Sequence, residues 1–140
     1  MKISGEDIKK LIPQREPFIM VNEFEELNST SAVTCIHVVG TNYFILPDDT
    51  MAETGLIEHA AQSCAALIGY QSYQEKQADP PIGLIGEVKH FECMRRPKVG
   101  ESVTTTIVFG LSFGQVTIAT GECRVSDELI AKIQLKIFIQ

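Results

Sequence analysis

The chain has 140 residues and a mass of 15.5 kDa, the size of one domain. Its 44% hydrophobic and 21% charged residues suit a soluble globular protein that buries a core without staples. Twelve Lys and Arg against eighteen Asp and Glu give a net charge of −6. That excludes a nucleic-acid binder, whose surface needs excess positive charge to displace counterions from phosphates. No stretch reaches the ~20 apolar residues of a membrane span, and the opening residues Met1 to Asp7 carry no apolar signal region, so the expected location is the cytoplasm. Four cysteines stand at positions 35, 64, 93 and 123, none in a C-x-x-C pair and none with a His at metal-ligand spacing. Reduced, buried thiols are expected, with no metal or other cofactor.

Ser4 followed by Asp7 marks a helix start, and Ile8, Leu11 and Ile12 give it a short apolar stripe that Pro13 ends. Phe18 to Val21 and Ser31 to Val39 read as strands, with Asn28-Ser29-Thr30 as the turn between them. Residues 40–50 form a loop carrying Gly40, Asn42, Pro47 and two Asp. Thr50 and Glu53 have the T-x-x-E spacing of a capping box and open a helix that runs to about Tyr70, beyond which the polar segment 72–81 ends it at two prolines. From Ile82 the hydrophobic period becomes two. Ile82 to Cys93, Glu101 to Phe109, Gln115 to Arg124 and Leu129 to Ile139 are four further strands. In the last, Leu129, Ala131, Ile133, Leu135, Ile137 and Ile139 alternate with Lys132, Gln134 and Lys136, one face dry and one wet, as in an antiparallel sheet. No internal repeat or linker divides residues 1–140, which are read as a single domain.

Between Thr54 and Gly69 the long helix carries one carboxylate, Glu58, and no Lys or Arg. A helix apolar nearly all round is buried on all sides. Its small residues Ala60, Ala61, Ser63, Cys64, Ala65 and Ala66 allow close backbone approach. An antiparallel sheet wrapped around one long central helix satisfies both facts, which is the α+β hotdog architecture. Glu58 must then find hydrogen bonds, become protonated or face a cavity. Gln62 lies at i+4 on the same face, within reach of it. A carboxylate in an apolar cleft suits general acid–base work; the plainer alternative is an exposed Glu on the helix rim.

The remaining polar signals are weaker. His37 shares a strand face with Cys35 and Val39 and reads as structural or surface; His59 points about 100° from Glu58 around the helix, so the two form no dyad; His90 pairs with Glu92. Arg95, Arg96 and Lys98 cluster on an acidic protein, either as a solvated strand end or as a dock for an acidic partner.

Three motifs resemble a known family over nearly the whole length. Leu11-Ile12-Pro13-Gln14-Arg15-Glu16-Pro17-Phe18 resembles the L-L-P-H-R-x-P-F opening of hotdog-fold (3R)-3-hydroxyacyl-acyl-carrier-protein dehydratases, enzymes of fatty acid biosynthesis. Leu56-Ile57-Glu58-His59-Ala60-Ala61-Gln62 is similar to their catalytic-helix motif I-x-E-A-x-A-Q, and the segment from Phe91 through Arg95-Arg96-Pro97 to Val99-Gly100-Glu101 to their F-R-R-P-V-x-P-G-D. Such enzymes place a catalytic His fourteen residues before the helix Glu, which here is Phe44, and their P-H-R histidine is Gln14. Phenylalanine cannot move a proton. The chain looks closer to the His-less dehydratase-like subunits of aryl polyene pathways, which share an I-G-L/F-L-like strand (Ile82-Gly83-Leu84-Ile85-Gly86) and an F/Y-E-C segment (Phe91-Glu92-Cys93).

This resemblance implies catalytic roles for Glu58 and Gln62, and substrate binding at Phe44 and at the helix opening, Glu53, Thr54 and Gly55. It implies carrier docking at Arg95, Arg96 and Lys98. The implied partners are an acyl carrier protein or coenzyme A thioester, and a second hotdog subunit in a homodimer or in a heterodimer with a His-bearing chain. A hotdog thioesterase, with Glu58 activating water or attacking the carbonyl, and a non-catalytic acyl-binding subunit are the alternatives.

Overall fold

The computed structural model describes residues 2–75 and 83–139. Its elements in chain order are β1 (Lys2–Ser4), a 3₁₀ turn (Gly5–Lys10), β2 (Glu23–Asn28), β3 (Ser31–His37), α1 (Glu53–Gln74), β4 (Gly83–Cys93), β5 (Ser102–Phe113), β6 (Val116–Val125) and β7 (Glu128–Ile139). The strands form one antiparallel sheet in the order β1-β2-β3-β5-β6-β7-β4. The long helix packs against it, the hotdog arrangement that the residue pattern predicts.

The period-two stretches fold as read. In β5, Val103, Thr105 and Ile107 are buried while their neighbours Ser102, Thr104, Thr106 and Val108 are exposed. In β7, Ala131, Ile133, Leu135 and Ile137 line the core under α1. The helix presents Leu56, Ala60, Cys64, Leu67 and Ile68 to this core, and Ser63 Oγ lies 2.7 Å from Thr34 Oγ1 of β3 within it. At Gly69 the helix passes so close to the loop after the 3₁₀ turn that a β-carbon there would strike the carbonyl of Leu11.

Burial of α1 is not complete. Ile57, Glu58, Ala61 and Ala65 are only half-buried and lie along one stripe of the helix, so one face is left uncovered by the chain's own sheet. Among the described residues no helix is long and apolar enough to cross a membrane.

Four expectations are corrected. The first helix is a 3₁₀ turn preceded by a short edge strand, although Ile8, Leu11 and Ile12 are buried as the stripe requires. Phe18 to Val21 is not a strand: side chains of α1 take the backbone groups of Phe18 and Met20, and the ladder partner of β3 is the charged segment Glu23–Asn28 instead. No capping box forms. Thr50 Oγ1 donates to Asp48 Oδ1 and accepts from Arg96 Nε, and the residue before the helix is Ala52, with no side-chain cap. The helix also continues about one turn past Tyr70, to Gln74. The rest of the expected breaker, residues 76–81, and the expected strand start Ile82 lie outside the described residues. All four cysteines are free thiols, Cys64 and Cys123 buried and Cys35 and Cys93 half-buried.

Candidate functional site

The centre of the site is built by the irregular segment 18–22 lying across α1. Gln62 is buried, and Met20 N–H donates to its Oε1 over 2.6 Å. Because a backbone N–H can only donate, this bond fixes the amide orientation. The Gln62 NH₂ group then faces two acceptors, Phe18 O at 2.7 Å and Glu58 Oε1 at 2.9 Å. One Glu58 oxygen is thereby tethered, and Oε2 has no hydrogen-bond partner among the described residues. The pairing expected from the i, i+4 spacing is present, on the uncovered stripe of the helix.

His59 supports this arrangement from the other side of the segment, a part that sequence reasoning missed. Its ring is fully buried, with Nδ1 2.6 Å from Met20 O and Nε2 2.8 Å from Thr105 Oγ1. A carbonyl only accepts, so Nδ1 carries the proton and Nε2 accepts from the threonine hydroxyl. Burial pushes the His59 pKa down to about 4, partly offset by the Met20 carbonyl. It is a neutral structural imidazole that pins Met20, which pins Gln62, which holds Glu58. The other two histidines lie on strands, His37 beside Ser102 and Glu23 and His90 beside Glu92.

The opening of α1 adds an aromatic wall. Phe44 packs against Gly55, where a β-carbon would come within 2.8 Å of Phe44 Cβ and 2.7 Å of Met51 Cγ; the position is kept as glycine by close approach. Gly55 is one helical turn before Glu58, which places Phe44 at the same end of α1 as Glu58. Tyr43 makes edge contacts with Phe44 at 5.1 Å and with Phe18 at 5.0 Å between ring centroids. Phe18 and Tyr43 are 48% and 61% exposed, a large apolar surface left open directly beside the Glu58–Gln62 pair. Neither ring was singled out in the sequence. Glu53 and Thr54 are exposed at the first turn of α1.

The basic cluster meets this end of the helix. Residues 97–99 run beside 49–51, with Met51 N–H donating to Pro97 O and Val99 N–H to Asp49 O. Together with Thr50, Glu53, Cys93 and Met94, the arginines Arg95 and Arg96 line a recess of about 330 Å³. Arg95 is bidentate to Glu101 at 2.8 and 3.0 Å and bidentate to Glu128 at 3.0 Å from each of two nitrogens, and it holds both carboxyls below their ordinary range. Arg96 pairs with Asp48 at 3.0 Å and reaches Glu53 at 3.6 Å. Lys98 forms no ion pair among the described residues.

Comparison with known proteins places this geometry. A subunit of "The Dehydratase Heterocomplex ApeI:P from Xenorhabdus doucetiae" superposes with a TM-score of 0.86 at 14% identity, over 95% of this chain and 90% of that one. The PaaI protein from the phenylacetic acid degradation operon of E. coli gives 0.65 at 13% identity, over 82% and 80% of the two chains. A hypothetical thioesterase with coenzyme A from Streptococcus pneumoniae gives 0.68 at 9% identity, over 84% of each. At these identities the likenesses show the shared fold. No curated protein matches by sequence. The family profile described as ApeP-like, ApeP dehydratase, matches residues 6–140, a span that takes in segment 18–22, the Glu58–Gln62 pair and the basic cluster alike; the chain belongs to the ApeP-like dehydratase family.

Proposed function

We propose that this chain is the Glu-bearing subunit of a two-chain dehydratase acting on 3-hydroxyacyl thioesters. The observation that carries the reading is Glu58: one carboxylate oxygen is tethered by a rigidly held amide, the other is open, and the group sits on the uncovered stripe of α1. Phe44 occupies the place beside the helix opening where resembling enzymes carry their His, and His59 is locked in the core. The base must therefore come from elsewhere.

The chemistry divides accordingly. Elimination needs a base for the proton on the carbon next to the thioester carbonyl, and an acid for the departing hydroxyl. A partner's imidazole takes the proton, the carbon–carbon double bond forms, and the hydroxyl leaves as water with the proton of the Glu58 carboxylic acid. Gln62 orients Glu58, while the positive end of α1, near Glu53, Thr54 and Gly55, favours the charge that builds on the thioester oxygen. Phe44, with Tyr43 and Phe18, lines the acyl side.

Two features support a second hotdog chain as the partner. The strand order leaves β4 at the sheet edge, with Gly86 to His90 exposed along it, and a long open edge is a template for pairing with another strand. The Xenorhabdus protein of the same fold is a subunit of a dehydratase heterocomplex. The thioester carrier docks at Arg96 and Lys98, with Arg95 bracing the segment through Glu101 and Glu128. The test is purification from the native host. A second, His-bearing hotdog chain is expected to come along, and the pair to dehydrate 3-hydroxyacyl thioesters while the single chain does not. Dehydration by the single chain at the rate of the pair, or thioester hydrolysis by the single chain as its main activity, would contradict the proposal.

A further inference from the structure

We infer that Glu23, Cys35 and His37 form a binding site for one divalent cation of the zinc class, on the sheet face opposite α1. Along β3 the side chains alternate: Thr34 and Ile36 are buried toward the helix, so Cys35 and His37 point outward. Register places Glu23 of β2 directly across from Cys35. One donor atom from each of the three residues lies within 4.8 Å of the other two. Glu23 Oε2 is 3.3 Å from His37 Nε2, and Cys35 Sγ is 4.0 Å from His37 Nδ1. A tetrahedral zinc with bonds of about 2.0–2.3 Å needs neighbouring ligands about 3.3–3.8 Å apart. Small side-chain rotations on a rigid ladder would close the set.

The surroundings fit the same role. Ser102, opposite His37 on β5, has its Oγ 2.8 Å from Nδ1, a contact that holds the imidazole in its orientation, as supporting partners of metal-bound imidazoles do. The backbone of His37 is fixed by its N–H donating to Asn22 Oδ1 at 2.7 Å. Lys2 takes the other carboxylate oxygen, Glu23 Oε1, at 3.3 Å and leaves Oε2 for a cation. A recess of about 140 Å³, lined by Lys2, Glu23, Cys35 and Thr104 among others, opens beside two of the three donors. One imidazole, one thiolate and one carboxylate select zinc, cobalt or nickel over magnesium or calcium. Binding forms a metal–sulfur bond and sends the Cys35 proton to solvent. Spacing rules for cysteine and histidine could not find this set, because its third member is fixed by strand register.

In a plain His37–Glu23 hydrogen bond, Cys35 would be a bystander, and the test separates the two. The tag-free chain is titrated with cobalt(II) and followed by absorption. One equivalent is expected to give thiolate-to-cobalt charge transfer in the near ultraviolet and tetrahedral bands in the visible, both removed by zinc. C35S abolishes the charge-transfer band and H37A weakens binding at least about tenfold, while S102A costs about 10–100-fold through the supporting contact. C93S, the control at the other half-buried thiol, leaves the titration unchanged. Absence of charge transfer up to millimolar cobalt, or a band that C35S retains, overturns the inference.

Discussion

His59 is one residue from Glu58 yet has the opposite environment, and the difference is measurable. Its folded pKa of about 4 lies below the ordinary value of 6.5, so the fold favours the neutral ring. The unfolded chain binds the proton more readily, and stability is full above about pH 6.5 and is lost as pH falls toward 4. By linkage the loss between pH 7 and pH 5 is about 2 kcal/mol. The carboxyls held low by ion pairs, Glu101 and Glu128 with Arg95 and Asp48 with Thr50 and Arg96, lose their contributions chiefly below that window. Denaturant melts at the two pH values should therefore show a drop in the wild type that H59Q lacks. An equal drop in both would mean that another group sets the acid sensitivity. Lys98 offers a second residue-scale test. It is the cation of its cluster that has no ion pair among the described residues, and so is the one left for the proposed carrier, whereas Arg95 is committed to two carboxylates. K98E should weaken carrier binding and flatten its salt dependence while leaving the melting temperature within error. Unchanged binding would make the cluster a brace for the loop only.

At the scale of elements, β5 to β7 and α1 were legible because burial on one face writes alternation into a strand, and burial on most faces strips charge from a helix. The Glu58–Gln62 pair was legible for a related reason, since helical geometry turns a spacing of four into a contact. Segment 18–22 was not. Phe18-Ile19-Met20-Val21 has the composition of a strand, but its backbone partners are Gln62 and His59, some forty residues away, and no local pattern encodes them. Its neighbour β2 was hidden by the reverse effect: Glu23–Asn28 is mostly polar because it lies near the sheet edge and fully buries Phe24 alone. Thr50 met the spacing rule for a cap and lost its hydroxyl to Asp48 and Arg96. Close packing of elements gives one further expectation. In an ordinary helix Gly→Ala gains ~0.5–1 kcal/mol, but at Gly69 the new methyl meets the Leu11 carbonyl, and forced overpacking costs ~1–3 kcal/mol. G69A should lower the melting temperature by several degrees; a rise would show that the loop after the 3₁₀ turn gives way freely.

For the whole molecule, the half-buried stripe of α1 and the open edge at β4 are the two surfaces on which the proposed partner chain rests. Phe18 and Tyr43 leave exposed aromatic surface next to Glu58, where a partner chain or an acyl chain would cover it. In the proposed site Glu58 is the acid and the base is supplied in trans. The most direct measurement is the dehydration rate of a 3-hydroxyacyl thioester by the complex purified with its partner, compared with the same complex carrying E58Q. That change keeps shape and hydrogen bonding to Gln62, so assembly and thermal stability should be preserved. Loss of one member of an acid–base pair costs ~10²–10⁴-fold, and a fall of that size with the complex intact is the expected result. A complex that turns over at the wild-type rate with glutamine at position 58 would contradict the account.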